Sequence, residues 1–357
     1  MAGAVQLPHG ARLLVRLPNW LGDVILTTPA LQALRRARPD LRLTALVKPS
    51  AAVAVRGLPG LEEVRLLEDT SFSGTWRLAR ELRREGFAAA LIFPKGFREA
   101  ALAFLARIPV RAGLGTDRRA FLLTHAVPFT ERDWHEHHAR QFAKVLGPLG
   151  IGLGDEGLAF PLAGSAREEA DRLMAESSLE PGRFAVFHVG ASKAPRAWHA
   201  GRFGQVAVRL EEATGVRPVL VGTPADAPFH REFLAACPSA VNLEGRTSLG
   251  GMAALISRAA LFVGSDSGPM HVAAAVGAPV VAVFGPGAPH KTAPYLPPER
   301  LRVVYAELPC SPCRQAFWKE CRPFPSGKPP CLEGVHPDAV LGACVALIER
   351  GSEEVRK

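Results

Sequence analysis

Residues 261–286, LFVGSDSGPMHVAAAVGAPVVAVFGP, decide the fold. LFVG is an apolar run of strand length, SDSG is a turn made of helix-capping residues, and Pro269 suits a first helical turn. MHVAAAVG then reads as a short helix closed by Gly277, and PVVAVF as a second apolar strand. Two strands joined by a helix make a βαβ unit, so the strands are parallel. The backbone NH groups of Ser267 and Gly268 suit a diphosphate, and Asp266 and His271 could address sugar hydroxyls or a phosphate oxygen.

The same alternation extends to both sides. Upstream, FAVFHVG, RPVLVG and AVNLEG read as strands separated by helical stretches. The first half repeats the pattern with RLLVRLP, LRLTALVKP, EEVRLLE, AALIFPK and VRAGLG, and with a long helix expected through HARQFAKVLGPLG. Between Gly150 and Pro181 the periodicity lapses in GLGDEGLAFPLAGS, recovers as a helix in AREEADRLMAES and breaks again at LEPGR, which puts a boundary near 160–182. The chain, at 357 residues, is long enough for two cores. We therefore expect an α/β protein of two Rossmann-like, doubly wound parallel-sheet domains facing across a cleft. Their expected extents are 1–165 and 166–335, with a last helix, 336–357, packing back on the first domain.

Ligands of open parallel sheets sit beyond the carboxyl ends of the strands. Besides SDSGPMH, two corners lie at such ends. HVGASKAPRAW places Lys193 and Arg196 where negative charge on a departing diphosphate would build. NWLGDVILTTPAL, residues 19–31, carries Gly-Asp where a nucleotide-binding loop would carry glycines. A fixed carboxylate repels phosphate, so Asp23 suits proton abstraction instead, or else simply caps the helix that follows.

The net charge of +9 favours an anionic partner. With 7% aromatic residues, not interleaved with the basic runs, a nucleic-acid stacking platform is not expected. No secretory leader and no apolar stretch of spanning length is apparent, so a cytoplasmic protein is expected. Four of the six cysteines, Cys310, Cys313, Cys321 and Cys331, cluster in a Pro-rich segment. They could hold zinc or an iron–sulfur cluster, or pack a loop as free thiols. The histidines of DWHEHHARQF lack a metal-binding spacing and are read as structural.

Taken together, PNWLGDVILTTPAL, FPKGFREAALAFLARIPVRAGLGTDRRAFLLTH, GASKAPRAW and residues 242–286 resemble glycosyltransferase family 9, the ADP-heptose:lipopolysaccharide heptosyltransferases, most closely the type II members. The resemblance implies a GT-B fold and metal-independent, inverting transfer of heptose from ADP-heptose to the inner core of lipopolysaccharide, with no cofactor. It implies Asp23 as general base, Ser192 and Arg196 as diphosphate contacts with Lys193 assisting, and Asp266, Ser267, Gly268 and His271 as the donor motif. Where the family carries an asparagine–serine pair, this chain has Lys95 and Gly96. Lys95, Arg98, Arg118 and Arg119 could face an acidic, phosphorylated acceptor. The basic stretch WRLARELRREGF could rest on anionic lipid, a peripheral contact with the inner membrane. Another sugar donor, or a non-catalytic nucleotide-sugar-binding protein, is the alternative.

Overall fold

A computed structural model describes residues 4–355 except 312, 314 and 316–320. The chain divides into two compact units, Met1–Pro161 and Leu162–Lys357. Each is built on a six-stranded parallel sheet.

In the first unit the strands are β1 (Arg12–Arg16), β2 (Arg42–Val47), β3 (Leu61–Leu66), β4 (Ala89–Ile92), β5 (Val110–Leu114) and β6 (His125–Val127). Their spatial order is β3-β2-β1-β4-β5-β6. β1 runs beside β2 and β4 in parallel register, Leu14 opposite Thr44 and Ala90. These central strands read as continuous apolar runs because helices cover both faces. The helices that matter for the site are α1 (Leu21–Leu26), α2 (Thr28–Ala37), α3 (Phe72–Arg84) and α4 (Phe97–Leu105).

The long helix expected through residues 138–150 is instead a six-residue α-helix, His138–Ala143, followed by a 3-10 turn, Lys144–Leu149. Pro148 has no NH to donate, and Gly150 ends the turn in the left-handed region at φ 70°.

The second unit holds β7 (Phe184–His188), β8 (Arg217–Leu220), β9 (Val241–Asn242), β10 (Leu261–Ser265), β11 (Val280–Val283) and β12 (Leu301–Val304). Their order, β12-β11-β10-β7-β8-β9, is the same winding as in the first unit. Phe187, Trp198, Phe203 and Phe233 are fully buried in its core. Each such side chain contributes about 1.5–3 kcal/mol of hydrophobic burial. The last helix, Pro337–Val355, packs on the helix Ala200–Thr214 and on β10, β11 and β12 of its own unit.

In both sheets the winding reverses between two adjacent strands, β1 and β4 in one, β7 and β10 in the other. Ligands of such sheets bind in the crevice outside the carboxyl ends at that point. The three corners singled out in the sequence belong to β1, β7 and β10.

Candidate active site

Asp23 lies in the first turn of α1, directly after β1. The helix starts from an extended Trp20 whose side chain makes no capping bond, and Asp23 is the acidic residue of its first turn. Its carboxylate is about one-third exposed, with His138 Nδ1 3.6 Å from Oδ1. His138 stands on the short helix that His137 caps, the His137 Nδ1 accepting from Ala139 NH at 3.2 Å. Its ring packs edge-on against Phe142, which packs edge-on against Phe93 after β4. These contacts place the imidazole near the carboxylate but short of a hydrogen bond, and His138 Nδ1 is buried without a hydrogen-bond partner among the described residues.

One turn along that helix, Gln141 accepts from Lys95 Nζ at 2.5 Å. The Lys95 ammonium also sits 4.7 Å from the ring centres of both Phe129 and Trp134, which meet edge to face. The helix His138–Ala143 thus holds residues from the β1 corner and the β4 corner at once. Sequence reading missed His138 because it weighed the histidines only as metal ligands; the missed signal was the i, i+3 spacing of His138 and Gln141 on one helical face.

Arg98, exposed and donating to the Thr70 carbonyl at 2.6 Å, lines a pocket of about 90 Å³ with Arg16, Asn19 and Lys48. Arg16 is buried, 3.5 Å from a Glu99 oxygen and 2.6 Å from Asn19 Oδ1, and burial pulls its pKa down to about 10. Three cations against one carboxylate leave this pocket positive. Arg118 is exposed on a turn of positive φ.

Arg119 needs a correction: expected as an acceptor contact, it is fully buried. Its guanidinium donates to the carbonyls of Leu114, Pro94 and Gly96 at 2.9, 2.6 and 2.9 Å. It holds the loop bearing Lys95 and does not face solvent. Burial lowers its pKa to about 10.

In the second unit, Ser192 and Lys193 are exposed after β7, and Arg196 closes the 3-10 turn Ala194–Arg196. Arg196 Nη1 is 3.7 Å from Asp266 Oδ2, and its Nε and Nη2 donate to Gln315 Oε1 at 3.1 and 2.6 Å. The NH of Trp198 donates to Ser265 Oγ at 3.0 Å, which ties the β7 corner to the end of β10. Asp266 is buried, and burial raises its pKa although Arg196 works against the rise. Ser267 is the extended N-cap of the helix Gly268–Ala275, and its buried hydroxyl caps nothing. Pro269 stands in the first turn and His271 is buried one turn in.

A hydroxyl and a carboxylate oxygen, both buried without a hydrogen-bond partner among the described residues, flank this helix start. Such groups cost about 1–3 kcal/mol each unless something fills the place. A sugar hydroxyl and a diphosphate oxygen would satisfy them, with helix NH groups and Arg196 supplying positive charge. Among the described residues, no three His, Cys, Asp or Glu side chains come together as metal ligands. All six cysteines are free thiols; burial, with Cys313 and Cys321 nearby, pushes Cys331 up to about 11.

The family model of glycosyltransferase family 9 (heptosyltransferase) matches residues 75–321. The chain belongs to that family. Among relatives of this family 9 glycosyltransferase, lipopolysaccharide heptosyltransferase 2 of Salmonella typhimurium is 27% identical over 79% of this chain and 85% of its own. The structure of E. coli ADP-heptose lps heptosyltransferase II superposes with a TM-score of 0.76 at 23% identity, covering 96% and 99% of the two chains. A family 9 glycosyltransferase from Veillonella parvula gives 0.80 at 24%, covering 95% and 97%. The fold is therefore GT-B, and the chain is a glycosyltransferase.

Proposed function

We propose that this family 9 glycosyltransferase moves heptose from ADP-heptose to an inner-core sugar of lipopolysaccharide, with inversion at the anomeric carbon. The observation that carries the reading is Asp23, a part-exposed carboxylate held beside His138 at the point where the first sheet reverses. The type II heptosyltransferases among its relatives supply the donor and acceptor class.

In this reading Asp23 takes the proton of the acceptor hydroxyl as its oxygen attacks the anomeric carbon. The bond from that carbon to the phosphate oxygen breaks, and its electron pair leaves with ADP. Ser192, Lys193, Arg196 and the NH groups of Ser267 and Gly268 receive the diphosphate, while Asp266 and His271 address sugar and phosphate oxygens. Preorganised donors aimed at the developing charge are the larger part of such catalysis. Lys95, Arg98 and Arg118 recognise anionic groups of the acceptor, together with Lys48 of the positive pocket; Arg16, buried against Asn19 and Glu99, and Arg119, through the loop it clamps, act from behind them. No metal or cofactor is assigned a step.

No helix among the described residues is long and apolar enough to cross a membrane. We assign the chain to the cytoplasm, with peripheral contact at the inner membrane where the acceptor resides. The test is incubation of the purified protein with ADP-heptose and truncated inner-core acceptors, read by mass. Acceptor gaining one heptose is expected; no gain with any inner-core acceptor, alongside intact ADP binding, would favour the non-catalytic alternative. Calorimetry with ADP, UDP and GDP tests the donor, and equal affinity for all three would undo the choice of adenine.

A further inference from the structure

The outer face of α3 carries an arrangement that the chemistry above does not use. Phe72, Trp76, Arg80 and Arg83 fall at i, i+4, i+8 and i+11, one stripe along the helix. Phe72 is 81% exposed and Trp76 41%, their ring centres 6.3 Å apart. Beside the stripe, a groove of about 600 Å³ runs between α3 and α4, walled by Trp76, Phe104, Arg80, Arg83, Arg107 and Arg111. Phe104 is 46% exposed, and a tight turn at Arg107, φ 54°, carries that side chain into solvent.

The charge on this face is one-sided. Glu81 and Glu85, the carboxylates of the same helical stretch, are both taken by Arg65, and Glu85 also by Arg12. Arg80, Arg83 and Arg107 make no ion pair among the described residues. Unpaired guanidiniums so close together repel one another, and exposed aromatic rings cost hydration; neither stabilises the unit. Aromatic rings with arginines around them are what a bilayer interface rewards, rings at headgroup depth and guanidiniums on lipid phosphates.

We propose that the α3–α4 face docks on an anionic bilayer, Phe72 and Trp76 entering the headgroup layer and Arg80, Arg83 and Arg107 gripping lipid phosphates. This gives a surface to the membrane contact of the functional reading on which it rests. Lipid is the occupant because the acceptor of the functional reading is itself membrane-borne; a single-stranded nucleic acid stacking its bases on the rings, or an acidic protein covering them, is the competing occupant that the acidic-polymer arm of the test separates from vesicles.

The test is co-sedimentation of the full chain with vesicles of phosphatidylcholine, with and without phosphatidylglycerol. Binding to the phosphatidylglycerol vesicles, weakened by salt, is expected. The triple variant R80Q/R83Q/R107Q should lose that binding at least about tenfold, and the F72S/W76S variant should weaken it. Both variants should still transfer heptose to a water-soluble, delipidated acceptor at the parent rate. Equal binding of parent and triple variant, equal binding to both vesicle types, or binding of an acidic polymer in preference to vesicles would each overturn the proposal. If the parent binds vesicles but transfers no heptose, the functional reading fails and the surface stands; transfer without vesicle binding is the reverse.

Discussion

The difference between Arg118 and Arg119 shows what a residue's neighbours decide. Both read as surface cations in a loop, where no periodicity tells inward from outward. In the structure Arg118 is exposed, while Arg119 is fully buried with three carbonyl partners. Arg119→Ala should cost about 3 kcal/mol in urea unfolding, because buried carbonyls lose charged donors. Arg118→Ala should stay within about 0.5 kcal/mol. Equal effects would mean the clamp is not formed. His138 lies at the same scale: His138→Ala should lower kcat about ten- to a hundredfold by loosening the Asp23 carboxylate, with ADP affinity unchanged. Steady-state kinetics with calorimetry reads both, and an unchanged kcat would remove His138 from the site.

At the scale of the element, the strand–turn–helix corners were legible because each carries its own chemistry. Capping residues, proline in the first turn and glycine at the end placed the helix Gly268–Ala275 after β10 directly from the sequence. What joins corners to one another was not legible. Gln141 to Lys95 and Trp198 to Ser265 are contacts between segments far apart in the chain, and no local pattern announces them. The helix expected through residues 138–150 gives way for a local reason: Pro148 has no NH to donate, and apolar periodicity does not encode that.

Two predictions belong to the second sheet. His188, at the carboxyl end of β7, is buried and held neutral, its pKa lowered to about 4 mainly by burial, from an ordinary value of 6.5. The unfolded chain therefore binds this proton more readily, so the stability is full above pH 6.5 and is lost as pH falls toward 4. The loss amounts to roughly 3 kcal/mol at most. Urea unfolding at pH 7 and pH 5 should show a steeper fall in the parent than in His188→Leu; parallel falls would contradict the assignment. After β11, Gly287 lies so close to Asp266 that a methyl group there would overlap the carboxylate. Gly287→Ala should weaken ADP binding about tenfold by displacing Asp266, an overpacking cost of about 1–3 kcal/mol, and calorimetry giving the parent affinity would exclude Asp266 from the donor site.

For the whole molecule, the formal charge of +9 pointed to an anionic partner without choosing one. The structure distributes part of that charge into distinct places in the first unit: the small pocket of Arg16, Lys48 and Arg98, and the α3–α4 face. Two sheets of identical winding, each with its corners at the reversal point, give one unit a part-exposed carboxylate and the other a helix start with Arg196 beside it. That division of labour, base in one unit and diphosphate grip in the other, is the central claim. Its most direct test is the Asp23→Asn variant, assayed for heptose transfer from ADP-heptose and, on the same sample, for ADP affinity by calorimetry. Turnover lowered about a hundredfold or more with ADP affinity unchanged is the predicted result; turnover near the parent rate would contradict it.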